Sequence, residues 1–215
     1  MSRESAIARA ERYCDSGDLK RDLARRVAMP TESQNPERAP ALIEYIETEM
    51  KPALEALGFT TQVLHEGRWP FLFAERKEDD AAQTVFGYGH GDVIRGLDDG
   101  WEEGLSPWRL TERGDRWYGR GVVDNKGQHA INIGALAAVL ETRGRLGFNA
   151  KYLIEMGEEM GSPGLRELCT REKERFRSEV LIGSDGPRLS AGPTSWVGRH
   201  GGLRIAVPRM AGTLR

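Results

Sequence analysis

The chain has 215 residues, 31 of them basic and 33 acidic, and a formal net charge of -2. This near balance excludes the polybasic surface of proteins that bind nucleic acid or anionic lipid. No apolar run is long enough to span a bilayer, the first residues lack a signal-peptide core, and Cys14 and Cys169 have no metal-binding spacing. We therefore expect a cytoplasmic protein that buries a sizeable core.

The order of predicted elements indicates the fold class. Apolar residues recur at spacings of three and four along much of the first 57 residues, which predicts helices over 2–13, 18–29 and 36–57. The remaining segments predict strands over 59–65, 71–76, 84–89, 149–156 and 179–185, a helix over 126–144, and a helix that begins with Ser162 as its N-cap. Strands that alternate with helices predict an α/β protein with a layered sheet.

Four polar clusters lie just past the end of a predicted strand or in the turn that leaves it. Ligand sites of open α/β sheets collect at that edge, so the placement is informative. A histidine with several carboxylates suits zinc, manganese or cobalt better than a thiolate-rich site does. The clusters contain His90 and Asp92, Asp124, Glu158 and Glu159, and Asp185.

Each cluster also has a structural interpretation. At a spacing of two on an extended chain, His90 and Asp92 face the same way, so Asp92 can accept the N–H of the imidazole nitrogen that does not bind metal. The alternative is a glycine turn with an incidental histidine. Asp124 stands immediately before a helix, where it can bridge two metals, cap the helix or pair with Lys126.

The adjacent acids Glu158 and Glu159 follow a buried apolar strand and stand between two glycines. In a regular strand they would point to opposite faces, so both can serve one site only where the strand has ended in a turn. One carboxylate can then bind metal while the other accepts a proton. The alternative is an exposed acidic turn.

Four motifs, "GHGDV", "WYGRGVVDNKGQ", "GEEMGSPGL" and "SDGP", resemble those of the co-catalytic zinc aminoacylase family. That family includes acetylornithine deacetylase, succinyl-diaminopimelate desuccinylase, carboxypeptidase G and dipeptidases. The motif sequences are most similar to those of its dipeptidase-like branch. The resemblance implies a helix–sheet–helix catalytic domain of the zinc-exopeptidase type. It also implies hydrolysis of amide bonds in dipeptides or N-acylated amino acids by metal-activated water.

The resemblance implies a role for each matching residue. His90 and Asp185 resemble ligands of the first zinc, Asp124 the ligand that bridges two zinc ions, and Glu159 a ligand of the second zinc. Asp92 resembles the acid that supports the histidine, and Glu158 the general base. Asn125 matches the residue that follows a cis peptide bond in the family. Co²⁺ or Mn²⁺ are alternatives to Zn²⁺.

Members of the family carry an inserted lid domain that mediates dimerisation, and a late histidine that completes the second zinc site. The resemblance therefore implies a catalytic part over 1–190 and the start of a lid, or a non-native tail, over 191–215. His200 is not expected to replace the late histidine. The irregular tail "PRMAGTLR" favours truncation or a frameshift as an interpretation.

Two functional hypotheses follow. The first is a metal-dependent hydrolase; for this chain we expect one metal to bind appreciably, through His90, Asp124 and Asp185, and a second to bind weakly or not at all. The second is an inactive remnant that binds at most one metal strongly. A nucleotide-binding domain is disfavoured, because the sequence has neither a GxxxxGK[ST] motif nor a GxGxxG motif after a strand.

Overall fold

A computed structural model describes residues 2–185 and two short segments, 199–200 and 203–204. Within these residues, no helix combines the length and the apolar character that crossing a membrane requires. The predicted lid segment 191–215 lies outside the described residues except for β8 and β9, two-residue strands that pair with each other. The side chain of His200 is likewise not among the parts that the structure describes. The division at residue 190 therefore stays a prediction.

Helices form where the apolar spacing predicts them, with two differences in the third segment, which begins with a 3-10 turn, Pro36–Arg38, and contains a π-helical turn. The α-helices are α1 (Arg3–Asp15), α2 (Asp18–Val27), α3 (Ala39–Tyr45), α4 (Lys51–Glu55), α5 (Lys126–Arg143) and α6 (Leu165–Arg171). A π-helical turn, Ile46–Met50, joins α3 to α4. Pro52 explains it, because proline has no N–H to donate and its ring clashes with the carbonyl four residues earlier.

Five strands form the main sheet, in the order β1-β2-β6-β3-β7. Strand β2 runs antiparallel to β1 and β6, whereas β6, β3 and β7 are mutually parallel. A separate pair consists of β4 and β5. The strands are β1 (Thr60–Glu66), β2 (Trp69–Arg76), β3 (Thr84–His90), β4 (Thr111–Arg113), β5 (Arg116–Tyr118), β6 (Asn149–Glu155), β7 (Val180–Gly183), β8 (Arg199–His200) and β9 (Leu203–Arg204).

Helices cover both faces of the sheet, which confirms the predicted layered α/β architecture. On one face α5 packs against β3, and the Tyr152 ring lies close enough to Gly87 that a Cβ there would be 2.5 Å from it. On the other face Phe73 and Phe86 pack against Phe176, which follows α6. Side chains of one strand alternate between the two faces, and both sets are buried in the central strands.

The predicted N-cap of α6 is wrong. The helix begins at Leu165 after Gly164, whereas Ser162 adopts a left-handed backbone with a φ of 53°. The Ser162 hydroxyl instead donates a hydrogen bond of 2.9 Å to the carboxylate of Glu155. Glu155 is fully buried and also accepts a hydrogen bond from the Tyr88 hydroxyl, and removing a donor from a buried acid costs more free energy than leaving a helix end exposed to water.

Candidate metal centre

The carboxyl ends of the three parallel strands meet at one edge of the sheet. His90 is the last residue of β3 and lies beside Glu155, the last residue of β6, in the strand register. Glu158 follows β6 in a short 3-10 turn, and Asp185 follows β7 by two residues. The parallel register therefore brings together side chains that are far apart in the sequence.

The imidazole of His90 is the centre of this cluster and has no solvent exposure. Its Nε2 atom lies 3.0 Å from Asp124 Oδ1, 3.6 Å from Asp185 Oδ2 and 3.8 Å from Glu158 Oε2. Within the described part of the chain, His90, Glu158 and Asp185 form a group whose ligand atoms all lie within 4.8 Å of one another. Several acidic oxygens thus converge on one nitrogen.

Asp92 connects the histidine to the acidic turn. It is fully buried, and His90 Nδ1 lies 3.0 Å from its backbone carbonyl oxygen and 3.3 Å from its Oδ1 atom. The same oxygen accepts the backbone N–H of Glu158 at 3.1 Å, and Oδ2 accepts that of Glu159 at 3.2 Å. Asp92 therefore orients the ring through its backbone carbonyl and its carboxylate, and the carboxylate also fixes the turn that carries the two glutamates.

Asp124 precedes α5, and the peptide bond between Asp124 and Asn125 is cis, as the resemblance implied. The sequence left Lys126 open as a partner for Asp124. The Lys126 ammonium group is fully buried and donates hydrogen bonds to the carbonyl oxygens of Arg26, at 2.9 Å, and Met29, at 2.7 Å. Lys126 thereby ties the start of α5 to the end of α2.

Glu159 has a different environment from Glu158. It is absent from the group formed by His90, Glu158 and Asp185, which contains Glu158, the residue that the family resemblance assigned to proton transfer. The backbone carbonyl of Glu159 accepts a hydrogen bond of 3.4 Å from Gln34. Burial and the charge of Asp124 together raise the pKa of Glu159 to about 7, against the opposing effect of His90.

The electrostatics of the cluster require a positive charge. Burial alone would lower the pKa of His90, but hydrogen bonds to the carboxylates of Asp124 and Asp92 outweigh it and raise the pKa to about 11. Burial raises the pKa of Glu158, which Asp185 raises further against the opposing effect of His90. In the absence of a cation, the histidine therefore keeps a proton among the surrounding acids.

These residues fit a small divalent cation. Ligand atoms bound at about 2.0–2.2 Å to one zinc ion must lie within about 4.4 Å of one another. The distances from His90 Nε2 to the oxygens of Asp124, Asp185 and Glu158, 3.0, 3.6 and 3.8 Å, are below that limit. Among the described residues, the group whose ligand atoms all lie within 4.8 Å of one another consists of His90, Glu158 and Asp185 and does not include Asp124. An imidazole nitrogen with carboxylate oxygens is also the donor set that zinc, cobalt and manganese accept.

Comparison with known proteins assigns the chain to a family. Residues 87–199, about half of the chain, match the model of the peptidase family M20/M25/M40. The chain belongs to this family. The family resemblance expected from the four motifs is thereby confirmed.

The relatives of the chain include dipeptidases and a deacylase. The mouse (Mus musculus) Beta-Ala-His dipeptidase is 38% identical over 144 residues, 64% of this chain and 29% of the relative. The succinyl-diaminopimelate desuccinylase of Gluconacetobacter diazotrophicus is 33% identical over 170 residues, 74% of this chain and 43% of that enzyme. The crystal structure of human carnosine dipeptidase 1 superposes with a TM-score of 0.80 at 30% identity, over 90% of this chain and 43% of that chain. The chain thus spans less than half the length of these relatives.

The other histidines lie in different settings. His65 is exposed near the end of β1, and His129 is buried in α5, where its Nε2 atom lies 2.6 Å from the Tyr45 hydroxyl.

Four further residues support the cluster through hydrogen bonds, and the sequence alone gave them no such role. Three supporting residues, Asn125, Lys126 and Ser184, lie inside the quoted motifs, and the fourth, Asn132, is a polar residue in α5.

Proposed function

We propose that the protein is a metal-dependent hydrolase that cleaves an amide bond in dipeptides or N-acylated amino acids. The observation that carries this proposal is the convergence of the Asp124, Glu158 and Asp185 carboxylates on His90 Nε2. Membership of the peptidase family supports the reaction class. The substrate class follows the relatives, which include a Beta-Ala-His dipeptidase and a succinyl-diaminopimelate desuccinylase.

The proposed ligands are His90, Asp124, Glu159 and Asp185, with Zn²⁺ as the first choice and Co²⁺ or Mn²⁺ as alternatives. A bound divalent cation would polarise the scissile carbonyl and lower the pKa of water. His90, Asp124 and Asp185 offer three donors to one ion, whereas Asp124 and Glu159 are the described residues proposed for a second. We therefore propose one site of appreciable affinity and a weaker second one.

Glu158 is the proposed general base. Its side chain is 36% exposed, so substrate and water can reach it, and its Oε2 atom lies 3.8 Å from His90 Nε2. The pKa of Glu158 is raised toward neutral pH, and a group whose pKa lies near the working pH can both accept and return a proton. Glu158 would take a proton from the attacking water and deliver one to the leaving amine.

Asp92 has a positioning role in this proposal. By facing His90 Nδ1 it favours the tautomer in which Nε2 presents its lone pair to the cation. By accepting the N–H groups of Glu158 and Glu159, it holds the general base at a fixed distance from the ligands. The same carboxylate thus aligns the metal ligand and the base.

Hydrolysis of a dipeptide panel with added Zn²⁺, Co²⁺ or Mn²⁺ tests the proposal. We expect activity that depends on metal and falls about 10²–10⁴-fold in Glu158→Gln, the usual contribution of a general base. Glu174→Gln is the matched control, since Glu174 is 75% exposed and pairs with Arg177 after α6. A wild type as inert as Glu158→Gln with every metal would contradict the hydrolase proposal and leave the inactive remnant.

A cytoplasmic location and small-molecule substrates complete the proposal. The near balance of charge and the isolated cysteines support it. Dimerisation through a lid remains a proposal from the resemblance, because the predicted lid segment falls largely outside the described residues.

A further inference from the structure

We propose that Asn125 and Asn132 position the ligand Asp185 by holding Ser184 against α5. This inference rests on the proposed metal-dependent function and concerns how the cluster is assembled. Neither asparagine is proposed as a ligand. Both act through hydrogen bonds to the residue that immediately precedes Asp185.

Asn125 connects two strand ends. It is fully buried, its Oδ1 atom accepts the backbone N–H of His90 at 3.4 Å, and its Nδ2 group donates to the carbonyl oxygen of Ser184 at 2.8 Å. Gly89 makes room for this amide, since a Cβ at that position would lie 2.8 Å from Asn125 Oδ1. One amide thus fixes the backbone beside both His90 and Asp185.

Asn132 holds the side chain of the same serine. It lies seven residues after Asn125, on the same side of α5. Its Nδ2 group donates to Ser184 Oγ at 2.8 Å and to the hydroxyl of Tyr152 at 3.2 Å. Tyr152 is buried in β6, so the serine is tied to both the helix and the sheet.

These bonds matter because β7 is poorly held in the described part of the chain. It is the edge strand and pairs with β3 over four residues, Val180–Gly183. Leu181 and Ile182 are 55% and 40% exposed. Packing therefore does little to fix the strand end, and the two amides supply the constraint that keeps Asp185 Oδ2 at 3.6 Å from His90 Nε2.

The test is Co²⁺ binding to the 215-residue chain, measured by calorimetry and by the visible absorption of the bound ion. We expect Asn132→Ala and Ser184→Ala each to weaken binding about 10-fold, within the range for residues that support a ligand, and to change the spectrum. Both variants remove the bond between Asn132 Nδ2 and Ser184 Oγ, and Asn132→Ala also removes the bond to Tyr152. The double variant should therefore lose no more affinity than Asn132→Ala alone. Ser184 is only half-buried, so Ser184→Ala keeps the test informative if Asn132→Ala fails to fold.

Thr142→Ala is the matched control. Thr142 is a polar residue at the far end of α5, and its hydroxyl bonds to the carbonyl of Ala138 within the helix. Its replacement should leave Co²⁺ affinity and the spectrum unchanged. Wild-type affinity and spectrum in both Asn132→Ala and Ser184→Ala would overturn the inference.

Amide hydrogen exchange of metal-free protein separates this inference from the proposed function. We expect faster exchange at residues 180–185 in Asn132→Ala, and unchanged exchange at 84–90. If the wild type binds none of Zn²⁺, Co²⁺ and Mn²⁺, the hydrolase proposal fails, and this exchange result still decides whether Asn132 holds the end of β7. Unchanged exchange at 180–185 would then overturn the inference.

Discussion

Acidic side chains occupy both ends of the five-stranded sheet, but in opposite surroundings. Glu78 follows β2, at the edge where β6 begins, and its carboxylate accepts the backbone N–H groups of Leu146 at 2.7 Å and Gly147 at 2.8 Å. Arg76 lies 3.2 Å from the same carboxylate. Burial alone would raise the pKa of Glu78, but these hydrogen bonds outweigh it and lower the pKa.

At the other end, burial raises the pKa values of Glu158 and Glu159, and neighbouring carboxylates raise them further against the opposing charge of His90. The difference lies in the donors. Glu78 finds backbone N–H groups and an arginine close by, whereas the acids around His90 share one imidazole. An acid at one end thus stabilises the fold, while the acids at the other end cost free energy that a cation would offset.

The largest expected effect comes from the core between the two ends. Phe73, 1% exposed in β2, packs against Phe86 and Phe176. Phe73→Ala should lower the free energy of unfolding by about 3–5 kcal/mol, because it removes buried contacts and leaves a cavity. Urea denaturation measures the loss. Phe73→Leu keeps an apolar side chain and leaves a smaller cavity, so it should cost less than Phe73→Ala, and equal losses in the two variants would contradict the packing argument.

The next effect is specific to the end of the sheet at which the acids surround His90, here called the acid-rich end. His90→Ala removes the nitrogen on which the acids converge, so Zn²⁺ affinity measured by calorimetry should fall more than about 100-fold, beyond the loss for a supporting residue. His65→Ala, at an exposed site in β1, is the matched control and should bind like the wild type. Undiminished affinity in His90→Ala would place the metal elsewhere.

A smaller effect tests the opposite end of the sheet, where Glu78 accepts its hydrogen bonds. Glu78→Gln should destabilise the fold at pH 7 by about 1–3 kcal/mol, because it weakens hydrogen bonds to a charged group. The folded state lowers the pKa of Glu78, so its stabilisation is present above the ordinary value of 4.5 and lost as the pH falls through the folded value. Denaturation at pH 7 and below pH 4 should show the difference closing. A loss that is independent of pH would refute the charge argument.

The smallest effect has the opposite sign. Glu159→Gln removes one acid from the crowded end, so the EDTA-treated variant should be more stable than wild type by a few tenths to about 1 kcal/mol, after screening by solvent. The same change should weaken metal binding if Glu159 is a ligand. Destabilisation in EDTA would show that the acid-rich end is not under charge repulsion.

Local patterns in the sequence indicated most of the elements and the residue types at the site. Apolar spacing predicted α1, α2 and α5, and the strand pattern placed His90, Glu158 and Asp185 beyond strand ends. It missed the π-helical turn before Pro52, and it assigned Ser162 to a helix cap. Both errors come from contacts that spacing does not record, namely a carbonyl clash and a buried acid in need of donors.

The tertiary structure decided which atoms of the site come into contact. The amino-acid sequence by itself supplied the motifs, the acid pair and the glycines around them. The strand order brought His90 beside the end of β6, and the room at Gly89 admitted the amide of Asn125. The physical reason is distance along the chain: a spacing of two relates His90 to Asp92, but only the register of parallel strands relates His90 to Asp185.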